Sequence, residues 1–158
     1  MTTAAMAASD SSQILVFSLL EENSSKKMDY GVDVSQVQEI GLLENISRVP
    51  NAPPYVKGVM NLRGKIITII DIKEKLGFQP IKEVNPSTRI LIVAVGSMLV
   101  GLLVDEVDEV IRIPASQIEP NPTGVGESAP YVKGIAKMQD SLVVIIDLKL
   151  LLEEQPAQ

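Results

Sequence analysis

Residues 55–76 read YVKGVMNLRGKIITIIDIKEKL, and the pattern returns 76 positions later. Tyr55/Tyr131, Val56/Val132, Lys57/Lys133, Gly58/Gly134, Ile69/Ile145, Ile70/Ile146, Asp71/Asp147 and Lys73/Lys149 are identical at that one offset. Ile14-Leu15-Val16-Phe17 matches Ile90-Leu91-Ile92-Val93 at the same offset. GVDVSQVQEI (31–40) matches GLLVDEVDEV (101–110) at an offset of 70. Short apolar strands resemble one another by chance, but chance does not keep several segments in one order. The chain therefore reads as one supersecondary unit built twice. The first copy carries about six extra residues in its first hairpin, and the second about six in its central loop.

The run KIITIID (65–71) does not alternate as a strand with one wet face should. Ile66 and Ile70 are expected to point one way and Ile67 and Ile69 the other, with Thr68 as the one polar break. Both faces are then expected to be covered, one by the sheet's own core and the other by a second layer. Arg63-Gly64 between two apolar runs signals a turn, because Gly adopts positive φ without steric cost. Arg63 is placed on the tip of a β-hairpin, where a guanidinium is offered to a partner rather than buried. In the second copy Asn61-Leu62-Arg63-Gly64 becomes Lys137-Met138-Gln139-Asp140. The scaffold is duplicated and the tip is not, so Arg63 serves something the framework does not require.

Strands are expected at 14–20, 30–34, 37–43, 57–61 and 65–71, then at 89–95, 99–104, 107–113, 132–137 and 141–147. Five short strands per half suit a small, partly closed barrel. Residues 90–104 carry no charge, yet a membrane helix needs about 20 apolar residues. Gly96-Ser97 splits the run into a hairpin instead. Seven of the ten prolines (50, 53, 54, 114, 120, 122 and 130) mark two surface connections, with 124–128 the most mobile stretch. Asp71 with Glu74 and Gly77 reads as a capped short helix rather than a paired-carboxylate site. Leucines at 148, 150, 151 and 152 suit a terminal helix. The acidic residues at 105, 106, 108 and 109 read as a solvated rim. Residues 1–13 form an arm without secretory character, 79–87 a linker, and 154–158 a tail. Subdomain 1 is set at about 14–78 and subdomain 2 at about 88–153.

Cysteine and histidine are absent, which removes disulfides, thiolate or imidazole metal sites, the Cys nucleophile and the Ser-His-Asp triad. Ser24, Ser25, Lys26 and Lys27 form a solvated loop rather than a Ser/Lys pair, since nothing nearby desolvates a lysine. The net charge of −6 offers no basic face for nucleic acid. At 37–40, Val37 and Glu39 share one face, and Gln38 and Ile40 the other. That arrangement fits an edge strand made safe by a charge, and equally a binding surface with a charged anchor.

GVDVSQVQEI, PPYVKGVMNLRGKIITIIDI, STRILIVAVG and VGLLVDEVDEV together resemble the CheW-type coupling proteins of bacterial chemotaxis, over roughly residues 14–153. The specific signature is VKGVxNLRG followed by an apolar strand ending in Asp. The chain resembles the stand-alone coupling protein more than CheV or the regulatory domain of the kinase CheA. The resemblance implies two five-stranded SH3-like β-barrels packed together in an all-β fold with short helices, one of them C-terminal. It implies a non-catalytic cytoplasmic adaptor without cofactor or metal, bridging chemoreceptor tips to CheA in membrane-associated arrays, with no membrane insertion of its own. The matching partner-binding positions are Val37, Glu39, Gly58, Asn61, Leu62, Arg63, Thr88, Gly101 and Val107. Gly58 and Gly101 are expected to act through backbone shape. Thr68 departs from the proline of many members, and Arg89 stands where an apolar residue is common. The competing reading, a small-ligand or enzymatic barrel, needs polar groups converging on a pocket.

Overall fold

A computed structural model describes residues 11–20, 27–78, 86–120 and 131–153. In chain order these are β1 (Ser11–Leu20), β2 (Lys27–Asp33), β3 (Val37–Gly41), β4 (Val56–Leu62), β5 (Lys65–Asp71) and helix α1 (Ile72–Lys75). Then come β6 (Arg89–Val95), β7 (Met98–Val104), β8 (Glu106–Pro114), β9 (Ile118–Pro120), β10 (Val132–Lys137), β11 (Leu142–Ile146) and helix α2 (Leu148–Glu153). The expected arm over residues 1–10, most of the 21–29 insertion including Ser24, Ser25 and Lys26, residues 79–85 of the linker, the 124–128 stretch with Pro122 and Pro130, and the tail lie outside the described residues.

Two sheets result, and neither follows the sequence halves. One runs β8-β1-β2-β11-β10-β9, the other β3-β6-β7-β5-β4. The opening hairpin of each copy has crossed to the other copy's sheet. Each crossing is a parallel pairing, with Ile69 opposite Gly101 and Ile145 opposite Gly31. These four residues are repeat equivalents, so the exchange is symmetric. A side chain at Gly101 would collide with Ile69 and Ile90. One at Gly31 would meet Ile14, the equivalent of Ile90, and Val143. The glycines let two isoleucine-rich strands approach.

Each sheet curls into a partly closed, five-stranded barrel in the manner expected, once β8 and β9 are counted as one bent strand. In the other sheet the chain continues from β3 to Ser47, which exchanges two backbone hydrogen bonds with Val59 of β4 (2.9 and 2.8 Å). Glu119 takes the equivalent place opposite Ile135. Both closures lean on a glycine at a bulge, Gly58 and Gly134. Gly58 has φ +147°, and a side chain there would strike the Ser47 carbonyl and Ile46. The backbone of Asp71 donates to the Tyr55 carbonyl and that of Asp147 to Tyr131, each at 2.8 Å.

Ile67, Ile69, Ile90 and Ile92 fill one barrel, and Ile14, Val16, Val143 and Ile145 the other. A third layer, including Phe17, Val32, Ile70, Leu102, Ile146 and Leu151, packs the barrels together. Phe17 and Tyr30 stack across β1 and β2 with ring centroids 6.2 Å apart, and burial pushes the Tyr30 hydroxyl up to about 12. Polar contacts also join the barrels. Asp105 accepts from the Leu20 backbone (2.8 Å) and lies 3.5 Å from the buried Lys73 ammonium. Lys75 sits over the rings of both repeat tyrosines, Tyr55 and Tyr131.

Several expectations need correction. β1 begins at Ser11, not 14, because the nine-residue β8 pairs with it out to Pro114. β2 begins at Lys27, not 30, because β1 extends to meet it at Leu20. The second proline connection contains β9, and Pro120 is tolerated there because β9 is an edge. Ile66 does not share Ile70's burial. It is 69% exposed, next to the hairpin turn and opposite Asn61. Asp71 does cap α1, accepting from the Lys73 backbone at 3.0 Å, and Gly77 follows with φ +94°.

Candidate functional site: the first hairpin tip and the edge beside it

The Leu62–Lys65 turn has positive φ at both central residues, 52° at Arg63 and 86° at Gly64. This is the two-residue geometry whose twist matches the flanking strands. Gly adopts it freely, but Arg63 does so at some cost. The Asn61 side chain accepts the Gly64 amide at 2.9 Å and braces the turn. Leu62 turns inward onto the barrel core.

The turn aims Arg63 at β3. β3 and β4 are opposite edges of one sheet, and the curl of the barrel brings them together. The guanidinium donates to both Glu39 carboxylate oxygens, at 2.6 and 3.4 Å. The arginine side chain remains 75% exposed while Glu39 is 30% exposed. The tip thus carries an ion pair rather than a lone cation. Val37 and Glu39 do not share a face as simple alternation predicts. The bulge between them sets Val37 opposite Val93 of the inter-barrel layer and Glu39 opposite Ile92 of the barrel interior, so the two lean opposite ways. Val37 packs on the layer between the barrels.

The remaining sequence candidates do not join this cluster. Gly58 and Gly101 are buried packing positions. Thr88 is 2% exposed, out of a partner's direct reach. Arg89 donates to the carbonyls of Pro86 and Thr88 (2.7 and 2.8 Å) and so ties the turn before β6. Val107 lies on β8 in the other sheet, half-buried against the central layer.

Two residues escaped the sequence reading. Ile66 lies opposite Asn61 on β4. The parallel ladder, read two residues back from Thr68–Val100, sets Ile66 beside the exposed Met98. By alternation Ile66 shares the face of Ile70, which packs in the inter-barrel layer, but is itself exposed. Leu142 and Met28 repeat the pairing in the other sheet, with Leu142 exposed and Met28 partly covered. Lys27 and Glu106 flank that second row at 2.9 Å, and the carboxylate raises the lysine's affinity for its proton. The available signal was positional, an isoleucine and a leucine directly after the tip in both copies.

Among the described residues, no three ligand-type side chains converge as for a metal, and no helix is long and apolar enough to cross a membrane. The profile described as a CheW-like domain matches residues 13–155. The chemotaxis protein CheW of Klebsiella aerogenes is 32% identical over 144 residues, covering 90% of this chain and 82% of that protein. That of Bacillus subtilis is 36% identical over 131 residues, with 82% and 83% covered. The crystal structure of the scaffolding protein TtCheW from Thermoanaerobacter tengcongensis superposes with a TM-score of 0.80 at 38% identity, covering 90% of this chain and 92% of that one.

Proposed function

This chain belongs to the CheW-like family, and from that premise we propose that it is a non-catalytic adaptor of bacterial chemotaxis. It couples the cytoplasmic tips of chemoreceptors to the regulatory domain of the histidine kinase CheA. It works in the cytoplasm and is drawn to membrane-associated receptor arrays by those contacts. Val37, Glu39, Asn61, Leu62, Arg63 and Val107 form or brace its partner surfaces, while Gly58, Thr88 and Gly101 hold the framework beneath them.

The observation that carries this reading is the first tip. An exposed ion pair, Arg63–Glu39, sits close to an exposed apolar row, Ile66 and Met98, on a scaffold whose own packing needs neither. A charged anchor beside apolar contact area is the composition of an interface hot spot. Interfaces of the ordinary size, roughly 1,200–2,000 Å², serve a scaffold that must hold two partners.

The test is pull-down of receptor fragments and of CheA by wild-type protein and by Arg63→Glu, with circular dichroism on both. The substitution sets two carboxylates against each other and weakens capture of at least one partner by about 2 kcal/mol or more, with the spectrum unchanged. Normal capture of both partners by a folded variant contradicts the assignment.

A further inference from the structure

The two barrels differ at one end, and the repeat shows why. In the first barrel that end is plugged. Asp71 and Thr88 are buried, Lys73 pairs with Asp105, and Lys57 pairs with Glu74 at 3.2 Å. In the second barrel the corresponding residues are Asp147, Ser12, Lys149, Ser35, Lys133 and Leu150. Lys149 and Ser35 are exposed, and Asp147 and Ser12 only half-buried. Leu150 replaces the glutamate, so Lys133 has lost the partner that Lys57 keeps. No ion pair of Lys133 occurs among the described residues.

What the missing plug leaves is a cavity of about 240 Å³, lined by Ser12, Ile14, Asp33, Lys133, Ile145 and Asp147 among others. Its floor is the apolar core of the second barrel. Its rim carries one ammonium and two carboxylates. Asp33 already accepts from the Ser35 amide and hydroxyl, and Asp147 from the Leu150 amide. Each bonds through Oδ1.

We propose that this open barrel end is a binding site for a small zwitterion, an α-amino acid with a compact apolar side chain. Its carboxylate replaces the missing glutamate at Lys133. Its ammonium meets Asp33 or Asp147, and its side chain rests on Ile14 and Ile145. A site with both charges at the rim and apolar residues below favours a ligand bearing both charges, because each rim charge left unpaired costs desolvation. The site is separate from the first hairpin tip and does not depend on the adaptor reading.

L-leucine titrated into the full-length protein, followed by amide NMR shifts, tests this. Saturable shifts at Asp33, Ser35, Lys133 and Asp147 are expected, with a dissociation constant on the order of 1 mM. Lys133→Met, an exposed position, weakens binding about tenfold or more. Leu150→Glu, which restores the pairing of the first barrel, weakens it similarly. The carboxylate alone, as 4-methylpentanoate, binds more weakly than leucine. The proposal is overturned if wild type gives no saturable shift, if either variant binds as wild type does, or if 4-methylpentanoate matches leucine.

Discussion

The Arg63 guanidinium spans the mouth of the first barrel to grip Glu39, donating at 2.6 and 3.4 Å to its two carboxylate oxygens. The pair joins opposite edges of one sheet. Being exposed, it contributes little to stability, on the order of 1 kcal/mol or less. Thermal melts of Arg63→Ala, Glu39→Ala and the double variant should therefore lie within a few degrees of wild type. In partner binding the two should couple strongly. Glu39→Arg combined with Arg63→Glu restores the pair with its charges exchanged, and should recover part of the folded tip geometry but not the partner's complementary charge. Pull-down of the exchanged variant that equals wild type would mean the partners sense the strut and not its polarity.

The barrel interiors are predicted to carry the stability. Ile69 and Ile145 are equivalent, buried, and central to their own barrels. Each Ile→Ala change should cost roughly 2–5 kcal/mol, from lost transfer free energy plus the cavity left behind. Denaturant melts of both variants check this. A cost below about 1 kcal/mol at either site contradicts the packing described.

The strand exchange makes its own prediction. Gly101→Ala adds a methyl group where Ile69 and Ile90 already fill the space. Overpacking of this kind costs about 1–3 kcal/mol, and Gly31→Ala should behave alike against Ile14 and Val143. A neutral result in urea melts at both positions would contradict the parallel pairings β5–β7 and β2–β11.

Alkali supplies a fourth test. Burial raises the Tyr30 hydroxyl from 10.0 to about 12, so the folded state holds this proton when the unfolded chain has released it. The stabilising contribution is intact below pH 10 and is lost as pH climbs from about 10 to 12, by up to about 2 kcal/mol. Tyr30→Phe has no proton to lose. Its denaturation midpoint, compared with wild type across that window, should fall less steeply. Identical slopes would contradict the burial of Tyr30.

Much of this architecture was legible because the repeat was. Ten of the eleven strands, the hairpin at Gly96-Ser97, the Asp71 cap and the two-sided burial of Ile67, Ile69 and Ile70 follow from spacing and residue type alone, whereas β9, in a proline-marked connection, does not. The exchange of hairpins was not legible. Equivalent strands have equivalent apolar faces, so Gly31 pairs as well with Ile145 as its own copy's Ile69 would have done. Only the chain's three-dimensional closure chooses between them. The ends of strands failed for a related reason, since Ser11 and Lys27 are strand residues only through long partners. At the tip, the family resemblance named Arg63 and Glu39 as partner-binding positions, but their contact was not legible, because it depends on barrel curvature. Exposure of Ile66 was hidden in an apolar run that is buried everywhere else.

Receptor-containing membranes are sedimented with CheA, in the presence and absence of this chain. The adaptor reading predicts that CheA enters the pellet with the receptors when the chain is added, and that Arg63→Glu reduces the amount carried down. CheA sedimenting equally with and without the chain, or the chain itself staying in the supernatant, would contradict it.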